Sequence, residues 1–97
     1  MKVVWTPLAI ERLQEIDAYI SQNSPTTASN FIDLLFQRGD SLAEFPNSGR
    51  KVPEYDREDY RELIEGNYRI IYRIKEDVVE IETVFESRRV LSNRDLL

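Results

Sequence analysis

The stretch Tyr68-Arg69-Ile70-Ile71-Tyr72-Arg73-Ile74 decides the fold. Its residues alternate: Tyr68, Ile70, Tyr72 and Ile74 fall on one side of an extended chain, and Arg69, Ile71 and Arg73 on the other. β-Branched and aromatic side chains suit a pleated, half-buried surface, and no Gly or Pro interrupts the run. Gly66-Asn67 before it and Glu76-Asp77 after it are turn chemistry. A central strand between two hairpins follows.

Turn parity then assigns faces to the neighbouring strands. A two-residue loop at Gly66-Asn67, with glycine first as a type II′ turn prefers, sets Leu63 opposite Ile70. An even loop at Glu76-Asp77 sets Ile81 opposite Tyr72 and Glu80 opposite Arg73. A three-residue loop would instead move Glu80 and Glu82 to the Tyr72 face and bury charge. One face therefore carries Leu63, Ile70, Tyr72, Val79 and Ile81, and helices dock there. The other carries Glu62, Ile64, Arg69, Ile71, Arg73, Glu80 and Glu82. It is mixed rather than basic, with Arg73–Glu80 as a cross-strand pair worth under ~1 kcal/mol. Ile64 and Ile71 are expected to form a small exposed apolar patch on it.

Upstream, Lys2-Val3-Val4-Trp5 reads as a short strand ended by Thr6-Pro7. Thr6 can cap a helix whose first residue is Pro7, where a missing N–H costs nothing. Ala9, Leu13, Ile16 and Ile20 then give one apolar stripe. Ser24-Pro25 repeats the device for a second helix, whose Ala28, Phe31, Leu35, Leu42 and Phe45 recur at helical steps. Gly39 inside it should weaken the helix by about 1 kcal/mol relative to Ala. Phe45-Pro46-Asn47-Ser48-Gly49 stops it; residues 50–54 are expected to be extended, and residues 55–59 to form a charged connection. Strands follow over residues 60–65 and 78–84, with residues 85–97 irregular or a short terminal helix.

The chain of 97 residues is expected to be one domain over residues 1–97, long enough to bury roughly two-thirds of its surface without staples. Cysteine and histidine are both absent, which removes disulfides, thiolate metal sites and the side chain that titrates nearest pH 7. No metal or cofactor is expected. The start lacks a basic segment followed by an apolar run, and no apolar stretch approaches the ~20 residues of a spanning helix, so a cytoplasmic protein without a membrane partner is expected. A net charge of −5 opposes direct nucleic-acid binding, because neutralised phosphates supply most of that affinity.

The ordered motifs resemble a known family. They are Val4-Trp5-Thr6-Pro7-x-Ala9, Leu13-x-x-Ile16-x-x-Tyr19-Ile20, Ser24-Pro25-x-x-Ala28, Phe45-Pro46-x-x-Gly49-Arg50-x-Val52-Pro53-Glu54, Arg61-Glu62 and Tyr68-Arg69-Ile70-Ile71-Tyr72. Together they span roughly residues 3 to 91 and resemble the RelE/ParE toxins of bacterial type II toxin–antitoxin systems, the ParE branch above all. The resemblance implies an α+β fold of order β-α-α-β-β-β, with a helical hairpin packed on one face of a small, mostly antiparallel sheet. It implies a toxin held inactive by a cognate antitoxin. ParE-like members inhibit DNA gyrase, whereas RelE-like members cut mRNA in the ribosomal A site with basic residues and a Tyr, His or Glu for proton transfer.

Arg69 and Arg89 match the nuclease-type arginines, but Phe85-Glu86-Ser87 stands where many relatives carry a His, and no Tyr follows Tyr72. Glu86 is a weak substitute, since an exposed Glu keeps a pKa of about 4.3. The resemblance therefore favours a non-catalytic gyrase inhibitor, with no catalytic residues. Its alternatives are a ribosome-dependent endoribonuclease and an antitoxin-binding module without toxicity. Candidate target contacts are Arg50, Arg69, Arg73, Arg88 and Arg89; candidate antitoxin contacts are Ile64, Ile71, Arg69 and Arg73.

Overall fold

A computed structural model describes residues 1–87. Strand β1 (Lys2–Trp5) leads into helices α1 (Pro7–Ser21) and α2 (Pro25–Asp40), followed by a single 3₁₀ turn at Ser41–Ala43. The two-residue β2 (Arg50–Lys51) precedes β3 (Tyr60–Glu65), β4 (Tyr68–Lys75) and β5 (Val78–Glu86). These strands form one sheet in the order β1-β5-β4-β3-β2. Only β1 runs parallel to its neighbour, β5.

Both helices start as their sequences require. Thr6 Oγ1 accepts the Ala9 N–H at 3.1 Å, Ser24 Oγ accepts the Thr27 N–H at 3.2 Å, and a proline opens each helix. Thr6 also fastens α1 to the sheet: its N–H donates to the Ile81 carbonyl at 3.1 Å and its hydroxyl to the Glu82 carbonyl at 2.9 Å. Helix α2 ends at Asp40, earlier than the spacing of Leu42 and Phe45 suggests; Leu42 is buried by the 3₁₀ turn, and Phe45 lies 62% exposed. Gly39 is a packing position. An added Cβ would meet the Trp5 ring and the Ile81 side chain at under 3.0 Å, so the helix gives up propensity to admit Trp5. Trp5 in turn packs against Phe36 in a tilted pair at 4.8 Å and donates its indole N–H to Asp40 at 3.1 Å.

The hairpin registers are those the turns dictate. Leu63 lies opposite Ile70, Ile81 opposite Tyr72 and Glu80 opposite Arg73. Gly66 has φ +58, the left-handed value that a glycine-first turn uses. Leu63, Ile70, Tyr72, Val79 and Ile81 enter one core with Ala9, Leu13, Ile16 and Leu35 from the helices.

Strict alternation fails at one point. The register shifts between Ile71 and Tyr72: Tyr72 pairs with Ile81, but Ile71 pairs with Thr83, leaving Glu82 as an extra residue on β5. The bulge reverses the faces downstream. Val84 joins the helix-side core, and Phe85 goes to the opposite side.

That opposite side is not open, which corrects the expected patch. Ile71 is completely buried, in a second small core with Val52 and Phe85 that Tyr55 and Tyr60 pack against. The cover is residues 52–59 between β2 and β3; the extended stretch expected over residues 50–54 stops at Lys51, and the charged connection expected over residues 55–59 packs on the sheet. This strap folds back through Tyr55 and Asp56 N–H bonds to the Val52 carbonyl, at 3.1 and 3.0 Å, and Asp56 adopts φ +49. Its far end is sewn to β4 where the Asp59 carbonyl accepts the Ile74 N–H at 2.8 Å. Of the two isoleucines, only Ile64 stays at the surface, 43% exposed.

Candidate functional site

Three of the candidate arginines meet on the strap side of the sheet, and all three are bound by carboxylates of this chain. Arg69 on β4 is buried. Its Nε donates to Glu62 Oε1 at 2.6 Å, and its two terminal nitrogens donate to the two oxygens of Glu54, each at 2.8 Å. The Glu54 contact is a bidentate fork, the strongest common geometry for this pair. Hydrogen bonds donated to Glu54, and then to Glu62, raise the Arg69 pKa against the opposing effect of burial. Glu62, directly across from Ile71 on β3, has no exposed side-chain surface and gives its second oxygen to Arg50 Nε at 2.6 Å. Arg50 itself is 64% exposed along its side chain, so one end of this chain of charges reaches solvent.

Arg73 does not pair with Glu80 as the register alone suggests. Its Nε donates to Asp59 Oδ2 at 3.0 Å, an acceptor that also holds Arg57 at 2.9 Å. Burial works against the charged Asp59, but hydrogen bonds from Arg57 and Arg73 outweigh it and hold its carboxyl below the ordinary range. Glu80 takes Lys75 instead, at 3.0 Å. Beside it the buried, bulged Glu82 is pushed up to about 8, by burial first and by the neighbouring Glu80 second. Glu80 moves the other way, lowered by its hydrogen bond with Glu82 and by Lys75. The two carboxyls thus share one proton near neutral pH.

A third set of contacts fixes the corner from which Arg50 emerges. The buried Tyr72 hydroxyl donates to the Pro46 carbonyl at 2.7 Å and accepts the Gly49 N–H at 3.0 Å, while Arg61 donates to the Gly49 carbonyl at 2.9 Å. A Cβ at Gly49 would fall 2.5 Å from the Glu62 carbonyl oxygen and 2.6 Å from the Tyr72 hydroxyl. Glycine is needed there for close approach.

The site differs from the sequence expectation in specific ways. Arg50, Arg69 and Arg73 do share a face, but Arg69 is buried and clamped rather than offered to a partner. Ile71 lies beneath the strap and cannot be an exposed anchor. Arg88 and Arg89 lie outside the described residues. Glu54, Asp59 and Tyr60 were missed as members of the site. One signal for them existed: Val52, Tyr55 and Tyr60 bracket the charged run, and apolar residues at both ends of a connection argue that it packs. Among the described residues no cluster of acidic side chains is arranged to hold a metal ion, and no helix is long and apolar enough to cross a membrane.

The model of the ParE toxin of type II toxin–antitoxin systems matches residues 3–91. The chain belongs to that family. It is 39% identical over 90 residues to the putative toxin Y4kP of Sinorhizobium fredii, covering 91% of this chain and 90% of that protein. It is 34% identical over 89 residues to toxin RelE2 of Caulobacter vibrioides, covering 92% and 98%. Among solved structures, the chromosomal ParDE system of P. aeruginosa superposes with a TM-score of 0.72 at 21% identity, covering 89% of this chain and 95% of that one. The RelBE2 complex of Mycobacterium tuberculosis gives 0.56 at 24% identity, covering 88% and 95%. These two establish likeness of fold. Family membership makes this chain the toxin half of a toxin–antitoxin pair, and its α+β architecture is the one the family resemblance implies.

Proposed function

We propose that this toxin acts by binding a protein, DNA gyrase, and does not cut ribosome-bound mRNA. The observation that carries this reading is the Arg69 clamp. An arginine that must steady a scissile phosphate has to present its fork, yet here Glu54 fills the fork and Glu62 takes the remaining edge. The absence of histidine and of any tyrosine after Tyr72 supports the same reading, as does the net charge of −5.

The cognate antitoxin, in this reading, covers the helical side rather than Ile71. A groove of about 230 Å³ runs between α1 and α2, lined by Ile10, Leu13, Ile32 and Phe36 with Gln14 and Asp17 at its rim. It suits the apolar stripe of a segment that folds on binding.

The endoribonuclease alternative has one feature in its favour, Glu82, whose carboxyl holds a proton near neutral pH. That group is buried and shares its proton with Glu80, which suits a structural role better than proton transfer to a substrate. Purified toxin, with and without antitoxin, should be assayed for gyrase supercoiling and for transcript cleavage on translating ribosomes. Loss of supercoiling restored by antitoxin is expected. Codon-position-specific cleavage with normal supercoiling would overturn the proposal.

A further inference from the structure

The corner from Phe45 to Arg50 is held more firmly than a surface turn requires. The Ser48 N–H closes it on the Phe45 carbonyl at 3.1 Å, and one buried hydroxyl, that of Tyr72, bonds both the Pro46 carbonyl and the Gly49 N–H. Arg61 holds the Gly49 carbonyl as well. The two residues that flank this braced turn, Phe45 and Arg50, are both largely exposed. A single surface ring needs no explanation. A ring and a guanidinium carried on one rigid turn have the composition of an interface anchor, and rigidity lowers the entropy cost of docking.

Arg50 is aligned but not satisfied. Its Nε donates to the buried Glu62 carboxylate at 2.6 Å, while neither terminal nitrogen has a hydrogen-bond partner among the described residues. The guanidinium is steadied at Nε and offers its terminal fork, which can take a carboxylate through two parallel bonds. The surrounding charges favour one carboxylate over a run of phosphates. Lys51 is already taken by Asp56 and Glu58, at 3.2 and 3.5 Å, and Glu44 stands exposed beside Phe45. A polyphosphate strand would need further cations where this corner supplies carboxylates.

We propose that the Phe45–Arg50 corner is the anchor by which this toxin grips its protein target. The Phe45 ring enters an apolar pocket of the partner, the Arg50 fork takes a carboxylate beside that pocket, and Tyr72 is a positioning residue that acts through its hydroxyl. The proposal rests on the reading of the chain as a toxin that binds gyrase, and growth arrest is scored alongside gyrase so that the two can fail separately.

The test measures the toxin concentration that half-inhibits gyrase supercoiling, growth arrest on expression without antitoxin, and calorimetric titration with antitoxin. Phe45→Ala and Arg50→Lys should each raise the half-inhibiting concentration at least tenfold, about 1.4 kcal/mol, and weaken growth arrest. Lysine keeps the charge and loses the fork. Tyr72→Phe should give a smaller loss of inhibition, roughly threefold. Antitoxin affinity should not change in any of the three, which separates a target contact from general damage. Tyr19→Ala, which removes an exposed ring on α1, should change nothing.

Melting curves check that each variant folds, and Phe45→Ala, at an exposed position, decides the matter if Arg50→Lys or Tyr72→Phe does not. Wild-type inhibition and growth arrest in folded Phe45→Ala would overturn the anchor. So would an equal loss of antitoxin affinity, which would make the corner an antitoxin contact. Oligonucleotide binding by wild type that Arg50→Lys abolishes would put a phosphate on the fork and overturn the carboxylate. If wild type leaves gyrase active, the gyrase reading falls, and the anchor stands or falls on whether Phe45→Ala weakens growth arrest.

Discussion

Ile70 and Ile71 are neighbours on β4 and neither has exposed surface, yet they are buried by different means. Ile70 faces two helices and joins a core assembled from apolar side chains of six elements. Ile71 faces a strap of eight residues and shares its cluster with Val52 and Phe85, ringed by tyrosines and arginines. The helix side excludes water mainly with hydrocarbon and contains no charged side chain. The strap side does so with little hydrocarbon and a set of paired charges whose desolvation must be offset by hydrogen bonds. The helix side depends on the fit of its side chains, whereas the strap side depends on the pairing of each charged member.

The largest expected effect follows from that contrast. Glu62→Ala would leave the buried Arg69 with one carboxylate fewer and release Arg50, and breaking a buried pair in this way costs about 3–5 kcal/mol. Glu62→Gln should cost less. Urea titration would measure both. A loss under ~1 kcal/mol for the alanine variant would mean that the strap opens and solvates Arg69 readily.

The two isoleucines compare the faces directly. Ile70→Ala should cost about 2–5 kcal/mol, as buried truncations do, and Ile71→Ala should fall in the lower half of that range because the strap can settle into the space. The same titration checks both variants. If Ile71→Ala were neutral, the second core would contribute nothing to stability.

The helix side was legible in the sequence for a physical reason. Ile70, Tyr72, Leu63 and Ile81 obey period two within hairpins of fixed parity, so local turn chemistry determines long-range pairing. The strap side obeys no period. Its cover is an irregular segment whose Glu54, Asp56, Arg57, Glu58 and Asp59 have the composition of solvated loop, and only three-dimensional closure brings Glu54 to Arg69. The bulge at Glu82 was hidden for a similar reason. Ile81-Glu82-Thr83-Val84-Phe85 can be read in either register, and the choice depends on which of Val84 and Phe85 fits the helices. Arg69 therefore lies on the expected face but is buried, while Arg50 stays exposed there.

Glu82 offers a smaller and pH-dependent way to separate the faces. Its pKa in the folded chain is about 8, above the ordinary 4.5, so the folded state holds a proton that the unfolded state has released between those values. Stability attributable to this group falls as pH rises from 4.5 towards 8 and is level above it. Glu82→Gln removes the ionisation and should raise stability at pH 8 to 9 by roughly 1–3 kcal/mol, with little change at pH 4. Melting temperatures across that range would test it, and a pH-independent difference would show that Glu82 is not the titrating partner.

Asp59 should give the smallest effect, with the opposite sign. Its carboxyl is held below the ordinary value by Arg57 and Arg73, so it contributes stability that is present above the unfolded value and lost as pH falls through the folded one. Its side chain keeps 30% exposure, so solvent screens the pairs and their contribution is under about 1 kcal/mol. Asp59→Asn should therefore lower stability slightly at neutral pH and leave it unchanged in acid. The helix-side core contains no titratable carboxyl, and Ile70→Ala should cost the same at both pH values. Double-mutant cycles with Arg73→Gln at neutral and acid pH would isolate the pair. A coupling that persists in acid would make the contact steric, with the strap held by Tyr60 and Val52 rather than by charge.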